Sequence, residues 1–293
     1  MADTHFSGRL YHNDGQPVGQ PDPTAGKVLF VCGTTWGSPA GSDENDGSFD
    51  APLQSIAAAL DLCTAEANDY IYVTDYWTGN SETMPIAVDV DNVHIIGRTG
   101  SGMPWPMIYV SGATAGFNIT ANHVEIANFH IYGGTTSGCV EISASKKGIE
   151  IHHCYFGVRT TGQDGIRVNS GYDAADLYIH DCHFGAQLTR YGIYTVTTAT
   201  WAKINNNSFV SVPNVNIRGG SGVLLEICNN RFAMHSDTKG LAITMAGNNC
   251  LITGNVANIG VTAAGQNPYL DTGSNDWGLN YIKGITASMP ATS

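Results

Sequence analysis

The sequence predicts an all-β solenoid, with short strands stacked coil on coil and a helix closing the N-terminal end. Three observations predict it. A short apolar strand recurs at a near-constant interval through most of the chain. The residue class at fixed offsets from that strand also recurs, which a β-sandwich of similar composition does not explain. Composition fits: of 293 residues only 13% are charged and 35 are glycine, a balance that favours strands and turns over long helices.

Residues 1–26 are polar and rich in Gly, Pro and Asp, and read as an N-terminal arm. "KVLFVCG" (27–33) is the first apolar strand, and "SPAGSDENDGSFDAP" (38–52) a turn-rich loop. Leu53, Ile56, Ala57 and Leu60 then form one helical stripe, predicting a capping helix near 53–62. Asp50 is the predicted N-cap, with Pro52 in the first turn. "DENDG" (43–47) does not match a calcium loop, because position twelve from Asp43 is Gln54, and it reads as an Asx turn. "YIYV" (70–73), "VHII" (93–96) and "MIYV" (107–110) are strands of the earliest coils.

The repeat is clearest in "IHHCYFG" (151–157) and "IHDCHFG" (179–185). Equivalent strands end at Ile126, Ile151, Ile179, Ile204, Ile227 and Ile252, roughly 23–28 residues apart. Three residues beyond stand Phe129, Cys154, Cys182, Asn207, Asn230 and Asn255; five beyond stand Ile131, Phe156, Phe184, Phe209, Phe232 and Ala257. The later Asn residues predict a side-chain ladder between coils. A second strand recurs as "FNI" (117–119), "VEI" (140–142), "IRV" (166–168), "IYT" (193–195), "VNI" (215–217) and "LAI" (241–243). That alignment predicts the outward column Asn118, Glu141, Arg167, Tyr194, Asn216, with a surface ion pair between Glu141 and Arg167. About seven coils at about 4.8 Å each give a rod on the order of 35 Å. The body is predicted over 27–260, with 261–293 covering or extending the C-terminal end.

The coils resemble the right-handed parallel β-helix of the pectate-lyase-like superfold. "GSDENDGSFDAPLQSIAAAL" (41–60) is similar to the entry motif of such proteins, where a GxDxNDG turn, a proline and a capping helix precede the first coil. This resemblance covers about residues 28–260 and implies a fold rather than a function, because the superfold hosts lyases, hydrolases, phage tailspikes and inert scaffolds. "THFSGRLYHNDGQPVG" (4–19) is similar to N-terminal segments of small tailed-phage structural proteins. That resemblance implies a virion-attachment arm, with Phe6, Leu10 and Tyr11 as its docking residues, and a β-helix displayed as a capsid decoration or fibre. It also implies a capsid or other virion protein as partner, trimeric assembly, and location on the virion after synthesis in a host cytoplasm.

The formal net charge is −12 with 13 Lys and Arg, which argues against nucleic acid and weakens the case for a lyase on acidic uronate polymers. No stretch approaches the length of a transmembrane helix. The seven cysteines show no close pairing, and the N-terminus has neither a basic nor an apolar leader region. The expectation is therefore folding in a reducing cytosol without a disulfide framework, with Cys154 and Cys182 inert fillers.

Candidate chemistry is sparse. His152 and His180 share a repeat position and could share a zinc, but a solvent-facing column through Ala127, His152, His180, Asn205, Cys228 and Thr253 is preferred, so no metal site is assigned. Asp164, Asp173, Asp176 and Asp181 lie on the longest coil and could supply a carboxyl pair for glycoside hydrolysis. The polygalacturonase set (NTD, DD, GHG, RIK) and the WIDH-type pectate motif are missing. No catalytic residue and no cofactor are assigned. The five tryptophans, Trp36, Trp77, Trp105, Trp201 and Trp277, share no coil position and are expected in core or caps. A non-enzymatic virion protein is the leading expectation; a glycan-binding or glycan-cleaving tailspike or polysaccharide lyase, acting on a host-surface glycan, is the alternative.

Overall fold

The computed structural model describes residues 10–11, 17–18, 26–33, 40–75, 82–98, 105–110, 112–157, 162–185, 188–195, 199–210, 215–220, 224–234, 241–259, 268–283 and 291–292. They wind into a right-handed parallel β-helix of about seven turns. From Val93 onward each coil visits three sheets in order. The first sheet has ten strands, from Val28–Cys32 to Ser274–Trp277; the second has eight, from Met107–Tyr109 to Tyr281–Lys283; the third has nine, from Ile86–Val88 to Ala291–Thr292. Ten strands make the first sheet on the order of 40 Å long, more than the predicted 35 Å. The excess comes from Val28–Cys32, Asp69–Thr74 and Ser274–Trp277, which add to the regular coils at both ends. The segment beyond residue 260 adds Tyr269–Asp271, Ser274–Trp277 and Tyr281–Lys283 to the three sheets, so its described residues extend the stack.

A strand of three residues cannot stand alone; each is held by pairing with the coils on either side. Ile126, Ile151, Ile179, Ile204, Ile227 and Ile252 pair in register as one buried column of the first sheet. The second sheet carries Ile131, Phe156, Phe184, Phe209, Phe232 and Ala257 in register. Its phenylalanines stack at centroid distances of 4.9, 4.5 and 5.0 Å. Burying each such ring contributes about 2–3 kcal/mol.

The third sheet departs from the predicted alignment. Ile193 pairs with Ile217 and Tyr194 with Arg218, so Asn216 is not in the outward column but buried, at 1% exposure. A slip of two residues preserves the in–out alternation, so periodicity alone could not choose between the frames.

Corners flank the strands of the first sheet, and most of them use a left-handed residue. The corners before the strands use Asn68, Asn92, His123, Gly148, Asp176, Trp201, Leu224 and Asn249, with φ between 53° and 66°. The corners after the strands use Asn128, His153, Asp181, Asn206, Asn229 and Gly254. This conformation costs an ordinary L residue roughly 1–2 kcal/mol, and Gly, Asn and Asp the least. The middle residue of "HHC" and "HDC" is therefore a corner residue. The next position is the ladder. The Asn207 amide donates to Asn230 Oδ1 at 3.1 Å and to Ile179 O at 3.0 Å; Asn230 and Asn255 repeat the pattern, and the ladder runs on to Asn280.

The capping helix spans Ile56–Leu62 and buries Ile56, Ala59 and Leu60. Its N-cap is Ser55, not Asp50: the Ser55 hydroxyl accepts from Ala58 N at 3.1 Å. Leu53 belongs to a β-bridge with Val31 rather than to the helix. Asp43 explains the choice, because its carboxylate accepts from Gln54 N, Ser55 N and Ser55 Oγ and so fixes the residue that caps.

Candidate functional site

The histidines singled out in the sequence lie on the outer face of the first sheet. His152 and His180 stack at 4.9 Å with a 3° interplanar angle. Parallel rings point their nitrogens to separate partners: His152 Nε2 to Glu125 Oε1 at 2.8 Å, His180 Nε2 to Glu150 Oε1 at 2.9 Å. His180 Nδ1 meets Asp181 Oδ2 at 2.8 Å, and His152 Nδ1 meets His153 Nδ1 at 2.7 Å. Glu125 also meets His94 Nδ1, at 2.5 Å. Hydrogen bonds from His152 and His94 hold the Glu125 carboxyl down at about 2. No group of three or more His, Cys, Asp and Glu with metal-holding geometry occurs among the described residues.

The four aspartates do not converge. Asp173 holds Thr200 N at 3.1 Å, Asp176 and Asp181 sit at left-handed corners, and Asp164 is fully buried on the third-sheet side. Arg190 grips Asp164 with two nitrogens, Nε at 2.8 Å and Nη2 closer still, and that pairing raises the Arg190 pKa. All seven cysteines are free; burial pushes the Cys139 thiol up to about 12. Phe6, Trp36 and Trp77 lie outside the described residues. Leu10–Tyr11 pairs antiparallel with Pro17–Val18 in a two-stranded sheet separate from the three coil sheets. Trp277 packs against the core and Trp105 stacks on His130 at 5.5 Å. Trp201, against expectation, is 60% exposed.

The corrected register builds a site that the sequence did not show. Along the outer face of the third sheet, Glu141, Arg167, Tyr194, Arg218 and Thr244 stand side by side on successive strands. Tyr191 and Arg190 flank this column from the Leu188–Thr195 strand. The Tyr191 and Tyr194 rings lie 4.4 Å apart. Both rings sit between two guanidiniums: Arg190 is 5.1 and 5.5 Å from them, Arg218 5.4 and 5.3 Å. Arg218 also donates to the Tyr191 hydroxyl.

Charge and satisfaction mark this face. A chain with only 13 Lys and Arg places three arginines on it. Arg190 is committed to Asp164, and Arg167 reaches Glu141 at 4.0 Å, so the predicted pair forms at the distance limit. Glu141 is shared further, accepting from Gly138 N and Asn169 Nδ2, each at 3.2 Å. Exposed Arg218 has no carboxylate partner among the described residues. Arg167 Nε and Thr244 Oγ1, both on this column, are buried without a hydrogen-bond partner among the described residues. Guanidiniums with spare donors, beside phenol rings, suit a ligand that carries carboxylates or sulfates on flat rings.

Fold and face together define a right-handed parallel β-helix with arginine and tyrosine side chains clustered on one outer sheet. No family model matches the sequence, and no curated protein matches it. Solved structures match the fold. An alginate lyase from Paenibacillus sp. str. FPU-7 aligns at TM-score 0.56 and 13% identity, over 79% of this chain and 96% of that one. A pectate lyase from Xanthomonas campestris aligns at TM-score 0.45 and 14% identity, over 93% and 84%. The tailspike protein of E. coli bacteriophage HK620 aligns at TM-score 0.47 and 11% identity, over 89% of this chain and 49% of that one.

Proposed function

We propose that the protein binds an acidic glycan across the outer face of its third sheet. The observation that carries this is the cluster of Arg167, Arg218, Tyr191 and Tyr194, in which the exposed Arg218 guanidinium has no carboxylate partner among the described residues and lies over two aromatic rings. The low overall count of cations weakens an acidic substrate at the level of composition; the exposed Arg218, which has no carboxylate partner among the described residues, supplies a local cation that answers that objection. Binding without hydrolysis fits the carboxyls: Asp164 is tied to Arg190, and Glu141 to Arg167 and two further donors. Neither is left free to act as one of the two facing carboxyls that glycoside hydrolysis uses. Titrating the protein with galacturonate and mannuronate hexamers tests this. Binding should weaken with added salt and fall about tenfold or more in Arg218→Ala, with no reducing ends or unsaturated products released. A glucose hexamer binding equally well would overturn the acidic class, and turnover would convert the reading to an enzyme.

A second reading concerns display. The antiparallel pairing of Leu10–Tyr11 with Pro17–Val18, apart from the coil sheets, favours an N-terminal arm that docks on a virion protein while the β-helix projects as a capsid decoration or fibre, alone or as a trimer. Deleting residues 1–26 should leave the body folded and abolish incorporation into particles. Normal incorporation of the truncated chain would sink it.

A further inference from the structure

Trp201 and Leu224 occupy two successive corners where neighbouring coils place Asn, Asp, Gly or His. Both are bulky residues in left-handed backbone, and both are exposed, at 60% and 40%. Backbone preference and water each oppose this placement. Residues held in such backbone cluster at ligand sites. Beside them Leu251 is 46% exposed, and the three apolar side chains border a cavity of about 330 Å³ whose remaining lining includes Lys203, Glu226 and Asn249. Lys203 Nζ and Glu226 Oε2 are 3.9 Å apart. The chain reaches Trp201 from Tyr194, and Leu224 from Arg218. The cavity therefore lies round the corner from the arginine–tyrosine face, on the strands that follow it.

We infer that this cavity is a saccharide subsite. It takes one pyranose ring, with the ring's CH face against the Trp201 indole and its hydroxyls bonded by Lys203, Glu226 and Asn249. The volume is at the scale of one small ligand. The mixture of an indole and three leucines (Leu224, Leu225 and Leu251) with an ammonium, a carboxylate and an amide matches a ring that is apolar on its face and polar at its edge. An aliphatic peptide side chain would offer no hydrogen-bonding group to the Lys203–Glu226 pair or to Asn249. The inference rests on the glycan reading above and adds a second contact surface to it.

The test uses the full chain and the same hexamers, read by calorimetry and tryptophan emission. Trp201→Asn places a residue suited to the left-handed corner. It should raise Tm by about 2–4 °C while weakening hexamer binding about tenfold and removing the emission change on binding. Trp201→Phe should keep most of the affinity. Unchanged affinity in Trp201→Asn, with binding still lost in Arg218→Ala, overturns the subsite and leaves the glycan reading standing. A lower Tm in Trp201→Asn overturns it as well, because the indole would then be packing that holds the corner. Absence of binding by the unmodified protein overturns both.

Discussion

The outer faces of the first and third sheets share one backbone architecture but differ in how their polar groups are closed. On the first sheet, His94, His152 and His180 each meet a carboxylate, and the adjoining turn runs an unbroken amide ladder from Asn207 to Asn280. On the third, Arg218 faces outward without a carboxylate, and Arg167 Nε and Thr244 Oγ1 are buried without partners, all among the described residues. A closed polar face is scaffold, because its groups are satisfied before any ligand arrives. An open one keeps donors for a ligand, and here the exposed Arg218 guanidinium is that donor group. Variants of the closed groups should therefore move stability, and variants of the open groups should move binding.

The largest loss is expected at the buried closed pair of the third sheet. Arg190→Met strands the fully buried Asp164 carboxylate and should cost about 3 kcal/mol or more, read as a lower urea midpoint at unchanged m. Next comes the ladder. Asn230 is fully buried, donates to Ile204 O and Asn255 Oδ1, and accepts from the Asn207 backbone and side chain. Asn230→Ala should cost about 2–3 kcal/mol, from the buried partners left unmade. A cost below that of an ordinary surface change would mean that the ladder is ornamental.

Glu125 gives a pH signature. Its folded carboxyl titrates at about 2, below the ordinary 4.5, because His152 and His94 bond to the charged form. A depressed carboxylate stabilises fully above its unfolded pKa, and the contribution is lost as pH falls from about 4.5 through about 2. Glu125→Gln should remove about 1–2 kcal/mol at neutral pH, after allowance for solvent screening. It should also flatten acid unfolding across that window. A variant that denatures in acid as the parent does would show that the network contributes nothing.

The fold was legible where one residue class repeats at one offset. The isoleucine column, the phenylalanine stack and the ladder all follow from spacing, because each coil must present the same shape to the next. The helix cap was misplaced because Asp43, a dozen residues upstream, selects Ser55 through three hydrogen bonds that no local pattern records. The site was missed for a different reason. Spacing places Tyr194 beside Asn216, and a two-residue slip hides Arg218 while keeping every alternation intact. Spacing alone assigns Trp201 to packing, because its corner role shows only once the left-handed residues are aligned. A signal was present: bulky residues at a position that Asn, Asp, Gly and His otherwise share.

The smallest effect on the fold, and the sharpest division between the two faces, is expected at Arg218. It is exposed, has no carboxylate partner among the described residues, and contributes one bond to Tyr191 and its position over two rings. Arg218→Ala should therefore change stability by about 0.5 kcal/mol or less, while lowering affinity for an acidic hexamer about tenfold. Arg218→Lys separates charge from shape. A lysine keeps the positive charge but loses the planar fork that pairs with a carboxylate through two bonds. If charge alone holds the ligand, Lys restores binding and the salt dependence persists. If the guanidinium reads the carboxylate's geometry, Lys recovers only part of the affinity, and the outer face of the third sheet is selective for rings that carry planar anions.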